Sequence, residues 1–269
     1  MPLADFFGTW KYEPNIMAAK ALQQQLPSFK QYLERQGLTE WIDTNAFALN
    51  LAKGLYFEAN IPTGYGVGSS GALCAAILDK FGKKNSTLSL VALKKIFAEM
   101  ESFFHGASSG TDPLVSYLNY PILLGEEIRQ VELFQQEKTD TVGLFLLDTG
   151  IKREASPFIN GFLERCKEEW YDKKCQTQLV PLVDDAIHTF LHDQWDLLFN
   201  TIHELSLFQF RYFDFMILDD FKKIWLDGLS SNHFKLKICG AGGGGFLLGI
   251  SKDKEKTKKT LNEQSLIWI

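Results

Sequence analysis

Residues 61–72 read IPTGYGVGSSGA, and this glycine-rich stretch constrains the fold more than any other part of the chain. The segment before it, GLYFEANIP, is short, aromatic-rich and ended by Pro62, which predicts a strand. The segment after it, GALCAAILDKF, has the length and the small, apolar composition of a buried helix that is closed by Gly82. The sequence therefore predicts a strand, a glycine loop and a helix whose first turn begins within residues 69–71.

Residues 66–71, GVGSSG, satisfy the GxGxxG pattern of dinucleotide-binding loops. That type of site also needs an acidic residue about 20 positions further on, and no acid lies between Asp79 and Glu99. A Walker A loop is excluded because no Lys-Ser or Lys-Thr pair follows the glycines. Two alternatives remain: a cradle in which backbone N–H groups and a helix start bind phosphate, or a mobile or tightly packed turn.

A second group of polar residues lies in EMESFFHGASSGTD. The preceding segment, SLVALKKIFAEMESFF, predicts an amphipathic helix from Ser89 to Phe104, which places Glu101 and His105 four residues apart on one face. Asp112 follows in a predicted loop that contains glycine. Beside a phosphate cradle, one carboxylate could hold Mg²⁺ and the other could orient or deprotonate an attacking hydroxyl.

Each of these three residues also has a purely structural interpretation. Glu101 fits a surface acid on a helix, and His105 fits a histidine with structural hydrogen bonds. Asp112 precedes Pro113, so its side chain could instead bond to nearby backbone in a turn. The spacing alone leaves both interpretations open.

The third motif, CGAGGGGF, spans residues 239–246 and also contains GxGxxG. It lies between FKLKI and FLLGIS, which both predict strands. The third motif is therefore not a second strand–loop–helix motif. Four consecutive glycines cost backbone entropy, which indicates close approach to another group. A ligand, an opposing phosphate loop and a tight hairpin all satisfy that requirement.

The remaining segments predict a chain of mixed helices and strands. IMAAKALQQQLPSFKQYLERQ has helical patterning, in which Pro27 is expected to break or restart the helix. TVGLFLLDTG predicts a buried strand, residues 157–229 predict several helices, and KDKEKTKK predicts a solvated helix start. The polar stretch at residues 137–141 is the predicted boundary between a domain of residues 1–138 and a domain of residues 139–269.

Composition excludes several classes of function. The net charge of -5 argues against a nucleic-acid partner. The four scattered cysteines form no CxxC pair, which argues against a zinc site or a disulfide framework and fits a reducing compartment. The start MPLADFFGTW resembles no secretory signal, and no apolar run approaches 18 residues. We therefore expect a cytoplasmic protein with no membrane partner.

The three motifs, in this order, resemble those of the GHMP kinase superfamily. The first resembles its ATP motif, P-x-x-x-G-[LV]-G-S-S-[AG], with matches at Pro62, Gly66, Val67, Gly68, Ser69, Ser70 and Gly71. HGASSGTD is similar to the HGxxSGxD stretch of mevalonate kinases, with matches at His105, Gly106, Ser109, Gly110 and Asp112. Residues 240–245 resemble the C-terminal glycine motif G-[AS]-G-G-G-G.

The resemblance implies an α+β fold of two domains. The N-terminal domain would resemble ribosomal protein S5 domain 2 and bind ATP, and the C-terminal domain would be ferredoxin-like. It also implies roles for the matched residues. Residues 66–71 would bind the ATP phosphates, Ser70 and Glu101 would bind Mg²⁺, and Asp112 would act as the general base or orient the substrate hydroxyl.

The resemblance also implies residues that lie on the substrate side of the site, namely His105, Ser109 and Arg153. Gly242 and Gly243 would close over the active site. The expected partner is a small-molecule alcohol, and homodimerisation is left open. The implied reaction is ATP-dependent phosphorylation of that alcohol, with mevalonate preferred. The alternatives are another acceptor, such as a sugar or homoserine, or a nucleotide-binding homologue without catalysis.

One family motif is not found in this chain. The family's opening strand carries a lysine near K-x-x-L-x-G-E-[HY], and the stretch FGTWKYEPN contains Lys11 without a following GEH or GEY. We therefore expect that the chain begins inside the family's usual first domain and lacks its first strands.

Overall fold

The computed structural model describes residues 8–11, 20–59, 65–83, 88–131, 141–153, 155–261 and 264–269. These residues form two compact units. The described parts of 8–59 and 67–131 make up the first unit, and residues 65 and 66 with the described parts of 141–269 make up the second. No helix in the described parts of the chain is both long and apolar enough to cross a membrane.

The first unit is mainly helical. It contains, in chain order, β1 (Gly8–Lys11), α1 (Lys20–Arg35), α2 (Thr44–Ala52), β2 (Tyr56–Ala59), α3 (Ser69–Phe81), α4 (Leu90–His105), α5 (Thr111–Leu118), β3 (Ile122–Leu124) and β4 (Ile128–Gln130). β1 pairs antiparallel with β2, and β3 with β4. The strand before the glycine loop and the helix after it are thus confirmed, as is the amphipathic helix that follows.

The core of the first unit explains why α3 and α4 form where they do. On α4, Leu93, Ile96, Phe97 and Met100 are buried at the predicted three-and-four spacing. Ser89 precedes α4, and its hydroxyl accepts a hydrogen bond from the N–H of Ala92, which caps the helix start. Eight of the thirteen residues of α3 are buried, as its small and apolar composition predicts.

The prediction that Pro27 breaks or restarts the first helix is wrong for the described residues, because α1 runs from Lys20 to Arg35 with Pro27 inside it. A proline in a helix interior costs about 3 kcal/mol, since it removes a backbone hydrogen bond and crowds the preceding turn. Leu26, Phe29 and Leu33 are each at most 1% exposed. Burying three such side chains contributes about 1.5–3 kcal/mol each, which outweighs the proline.

The second unit combines an antiparallel sheet with helices. Its elements are β5 (Gly143–Asp148), α6 (Ala155–Arg165), α7 (Glu169–Lys174), α8 (Val180–Leu191), α9 (Trp195–Tyr212), α10 (Asp219–Ser230), β6 (Phe234–Ile238), β7 (Phe246–Ser251), α11 (Lys254–Thr260) and β8 (Leu266–Trp268). The strand order is β6-β7-β5-β8. The predicted buried strand, the series of helices, the two strands around the glycine run and the C-terminal helix are confirmed.

The two faces of this sheet are both apolar but pack differently. On one face, Phe145, Leu236 and Leu247 join a core that also contains Trp225. Because side chains alternate along a strand, Leu144 and Leu248 lie on the opposite face. That face meets a smaller apolar cluster on α9.

The predicted boundary at residues 137–141 lies, apart from Thr141, outside the described residues. The division into domains of residues 1–138 and 139–269 therefore stays a prediction.

The sheet of the second unit generates a test of its packing. Gly249 lies opposite Phe145, and a Cβ at Gly249 would come within 2.1 Å of the fully buried Phe145 ring. We expect Gly249→Ala to lower the free energy of unfolding by about 1–3 kcal/mol, because the ring must move in a packed core. Chemical denaturation would measure this loss. Gly125→Ala, in an exposed turn, is the control and should stay within about 0.5 kcal/mol of the parent.

Candidate functional site

The glycine loop of the first motif leads directly into the start of α3. Gly68 precedes the helix with φ of 79°, a left-handed conformation that glycine adopts without steric cost. The first N–H groups of any α-helix have no acceptor within the helix, and here they belong to Ser69, Ser70 and Gly71. Such a helix start carries a partial positive charge and favours anions.

The start of α5 packs directly against the start of α3. A Cβ at Gly71 would lie 2.8 Å from the backbone nitrogen of Pro113 and 3.0 Å from the Cβ of Asp112. Any side chain at Gly71 would therefore force the two helices apart. At Gly68, a Cβ would lie 3.8 Å from Oδ2 of Asp112. The structure thus brings Asp112 beside the glycine loop of the first motif.

Asp112 itself belongs to a helix, so the prediction that it lies in a loop is wrong. It occupies the first turn of α5, immediately after Gly110 and Thr111. Gly110 has φ of 71°, and a Cβ there would lie 2.2 Å from the carbonyl oxygen of Lys94. The close approach to α4 therefore requires glycine at this position. A negative side chain in the first turn of a helix is electrostatically favourable.

Glu101 is the buried carboxylate of the site, at 5% exposure. The Ser70 hydroxyl donates to Glu101 Oε1 at 3.0 Å, and the Ser108 hydroxyl donates to Oε2 at 2.5 Å. The interpretation of Glu101 as a surface acid is therefore wrong. Its negative charge also acts on Cys74: burial raises the pKa of the Cys74 thiol, and the nearby Glu101 carboxylate raises that pKa further.

Ser108 is a residue of the site that the motif comparison missed. The HGxxSGxD pattern counts only the second of two adjacent serines, Ser109, whereas Ser108 makes the contact with Glu101. Ser109 bonds locally instead: its hydroxyl accepts the N–H of Thr111 at 3.3 Å and donates to Thr111 Oγ1 at 3.0 Å. His105 is the last residue of α4, and its side chain lies outside what the structure describes.

The donor set around Glu101 suits a small hard cation. Mg²⁺ prefers oxygen ligands and commonly takes only one or two carboxylates from a protein, with the rest from water and substrate phosphates. Ser70 and Glu101 supply a hydroxyl and a carboxylate oxygen that are already adjacent. Groups of three or more His, Cys, Asp or Glu suited to a metal do not occur among the described residues. The pair therefore fits Mg²⁺ held together with phosphates.

The glycine run of the third motif forms the turn between β6 and β7 in the second unit. Five of its glycines have positive φ: Gly240, Gly242, Gly243, Gly244 and Gly245. Several approach other groups closely, since a Cβ at Gly243 would lie 1.9 Å from the Phe158 ring and one at Gly242 would lie 2.5 Å from Met216 O. The N–H of Gly243 donates to that same carbonyl at 2.7 Å. A tight turn packed against backbone and side chains of the second unit thus accounts for these glycines.

Arg153 contacts this same turn. Its Nη1 donates to the carbonyl of Cys239 at 2.8 Å, and its Nη2 lies 3.5 Å from the carbonyl of Gly66. A Cβ at Gly240 would lie 2.6 Å from Nη1. Glycine at positions 66 and 240 therefore makes room for the guanidinium, and two backbone carbonyls hold it in place.

Comparison with known proteins confirms the resemblance. Residues 18–120 match the family profile described as GHMP kinases N terminal domain. A search of curated proteins found no match. The fold is also that of solved GHMP kinase structures. The chain therefore has the α+β GHMP kinase fold, as its three motifs predict.

Three solved structures illustrate the similarity. The mevalonate kinase of L. major in complex with R-mevalonate is 15% identical to this chain. The match covers 96% of this chain and 82% of the L. major chain, with a TM-score of 0.62. The phosphomevalonate kinase of Streptococcus pneumoniae in complex with phosphomevalonate and AMPPNP is 12% identical, with 97% and 89% coverage and a TM-score of 0.63. The galactokinase of Lactococcus lactis with galactose is 14% identical, with 80% and 68% coverage and a TM-score of 0.58.

The two hydrogen bonds to Glu101 generate a prediction about stability. Ser108→Ala removes one partner from a buried carboxylate, so we expect the free energy of unfolding to fall by about 1–3 kcal/mol. Urea denaturation would measure the loss. Ser116→Ala is the matched control, because the Ser116 hydroxyl bonds to a helix carbonyl at an exposed position. Equal stabilities of the two variants would contradict the proposed importance of the Ser108 contact.

Proposed function

We propose that this chain catalyses the ATP-dependent phosphorylation of a small-molecule alcohol, with mevalonate as the acceptor and 5-phosphomevalonate as the product. One observation supports the proposal: in the first unit, the start of α3 lies beside a buried carboxylate that accepts a hydrogen bond from a hydroxyl of that helix, and beside a second carboxylate. Phosphoryl transfer depends on positioning and charge stabilisation, and these groups are the required parts.

In this proposal, residues 66–71 bind the ATP phosphates. Gly66, Val67 and Gly68 bring the backbone close to the phosphate oxygens, and the N–H groups of Ser69, Ser70 and Gly71 donate to them from the start of α3. Residues 1–138 would then form the ATP-binding domain and residues 139–269 the C-terminal domain. The S. pneumoniae structure with AMPPNP supports an adenine nucleotide for this fold.

Ser70 and Glu101 are the proposed protein ligands of Mg²⁺. When bound, the ion would neutralise charge on the phosphates and help to orient them. The protein's own contribution is preorganisation, because the Ser70 hydroxyl and the Glu101 carboxylate are already 3.0 Å apart.

Asp112 is the proposed catalytic residue. Its carboxylate orients the acceptor hydroxyl and takes its proton, while the hydroxyl oxygen forms a bond to the γ-phosphorus. The bond between that phosphorus and the bridging oxygen breaks, and ADP leaves with the electron pair. The fixed packing of α5 on α3 at Gly71 supports this role, since it holds Asp112 at one distance from the helix start.

The acceptor is the more specific part of the proposal. Structures with this fold contain R-mevalonate in one case and galactose in another. The stretch HGASSGTD favours mevalonate, with His105 and Ser109 on the substrate side. Arg153 is proposed there as well, because a guanidinium pairs well with a carboxylate and mevalonate carries one. Gly242 and Gly243 are proposed to close over the bound substrate.

A panel of alcohols tests the acceptor. Purified protein with ATP and Mg²⁺ would be incubated with mevalonate, phosphomevalonate, galactose and homoserine, and ADP release and product mass would be measured. We expect mevalonate to give the highest kcat/KM. Clear turnover of another acceptor without turnover of mevalonate would contradict the assignment. ATP binding without turnover of any acceptor would favour a nucleotide-binding protein that lacks catalysis.

Replacement of the proposed base gives the second test. Asp112→Asn keeps the shape of the side chain but cannot accept a proton, so we expect kcat to fall by about 10²- to 10⁴-fold with little change in ATP affinity. Steady-state kinetics and nucleotide titration would measure the two effects. Asp79→Asn, on the exposed end of α3, is the control and should retain parental kcat. Full activity of the Asp112 variant would rule out its catalytic role.

A further inference from the structure

The second unit contains a cavity of about 490 Å³. It lies between α8, α9 and the face of the sheet that carries Leu144 and Leu248. This volume falls within the range of small-molecule sites, about 300–1,000 Å³. The described residues that line the cavity all belong to this unit, and none of them is assigned above to phosphoryl transfer.

The walls of the cavity are almost entirely apolar. The sheet contributes Ile250, and α9 contributes Leu198 and Leu205, all of which are buried. The α8 wall is less tightly packed: Val183 is 38% exposed and Ile187 is half-buried. α8 therefore leaves apolar side chains facing unfilled space, where they lose dispersion contacts. An apolar ligand in this space would restore those contacts.

Two polar side chains interrupt the apolar lining, and both are hydrogen-bond donors. Gln209, which is 7% exposed, accepts the N–H of Ile238 with its amide oxygen at 2.8 Å. Within the described residues, no hydrogen bond uses the Gln209 amide nitrogen. Lys237 donates once, to the carbonyl of Ile238 at 2.9 Å, although an ammonium group has three donors.

The charge at Lys237 is also unbalanced. No carboxylate lies in the cavity lining, and no ion pair joins Lys237 to an acid within the described residues. Burial lowers the pKa of Lys237, so the surroundings of its amine disfavour the charged form. A bound anion would compensate this charge and accept the unused donors. The unused donors of Lys237 and Gln209 therefore favour a ligand head group that only accepts hydrogen bonds.

We propose that this cavity binds a medium-chain alkyl carboxylate, with the hydrocarbon chain between α8, α9 and the sheet and the carboxylate at Lys237 and Gln209. A single ammonium group balances a single negative charge, which favours a carboxylate over a phosphate dianion. The hydrocarbon replaces the contacts that the apolar walls lack. This binding is independent of the proposed phosphoryl transfer and can be measured without any substrate of that reaction.

Isothermal titration calorimetry on the full chain tests the proposal with a series of saturated carboxylates from six to twelve carbons. We expect saturable one-to-one binding in which each added methylene strengthens affinity about fourfold until the cavity is filled. Decanoate should bind more tightly than both decanol and decyl phosphate. Absence of saturable binding for every chain length would overturn the site, and preference for decyl phosphate would overturn the carboxylate assignment.

Variants locate the ligand. Lys237→Met should weaken decanoate binding by about tenfold or more and leave decanol binding unchanged, because only the charged partner is lost. Lys223→Met, on the exposed face of α10, is the matched control and should bind as the parent does. Equal effects of the Lys237 variant on acid and alcohol would contradict the assigned head-group contact.

A second pair of variants tests the hydrocarbon site. Val183→Trp places a large ring at the exposed rim of the cavity and should abolish binding of both decanoate and decanol, with an unchanged circular dichroism spectrum. Val180→Trp lies on the same helix at 45% exposure but does not line the cavity, so it should bind normally. Parental binding by the Val183 variant would exclude this cavity as the site.

Discussion

The approach of α5 to α3 at Gly71 is the contact on which the candidate site depends. Only hydrogen at this position allows the backbone of Pro113 to pack against the first turn of α3. This contact places the Asp112 side chain next to Gly68, where the glycine loop enters the helix. Two helix starts thus lie side by side, and the negative residue of one lies beside the positive end of the other. A larger residue at position 71 would separate the two helix starts.

The buried Glu101 carboxylate adds a second constraint with an energetic cost. Removing a charged group from water is unfavourable unless hydrogen bonds compensate it. Ser70 and Ser108 provide two such bonds from different segments, so the helix start, α4 and the loop after α4 are tied to one side chain. A carboxylate held in this way needs little reorganisation to bind a cation. Burial raises the pKa of the Cys74 thiol, and the nearby Glu101 carboxylate raises that pKa further.

Much of the fold was predictable from local sequence because its main signals are strong. α3, α4 and β5 have clear periodicity or composition, and the structure confirms them. Pro27 lies inside α1 although local propensity predicts a break there, because burial of the side chains around it stabilises the helix and is not visible in local sequence. β8 was missed because its three residues have no pattern of their own. It exists because Phe145, Leu146 and Leu147 present an open edge for pairing.

The sequence by itself determined the class of fold and the main elements of the candidate site. Its three motifs identified the glycine loop, Glu101 and Asp112. Glycines that adopt left-handed backbone conformations and the residues that begin a helix both leave clear local patterns in a sequence. The tertiary structure decided which groups meet. Ser108 and Glu101 are brought together by a turn, and the glycines of residues 240–245 pack against segments distant in sequence. Such contacts depend on three-dimensional packing, which no local pattern encodes.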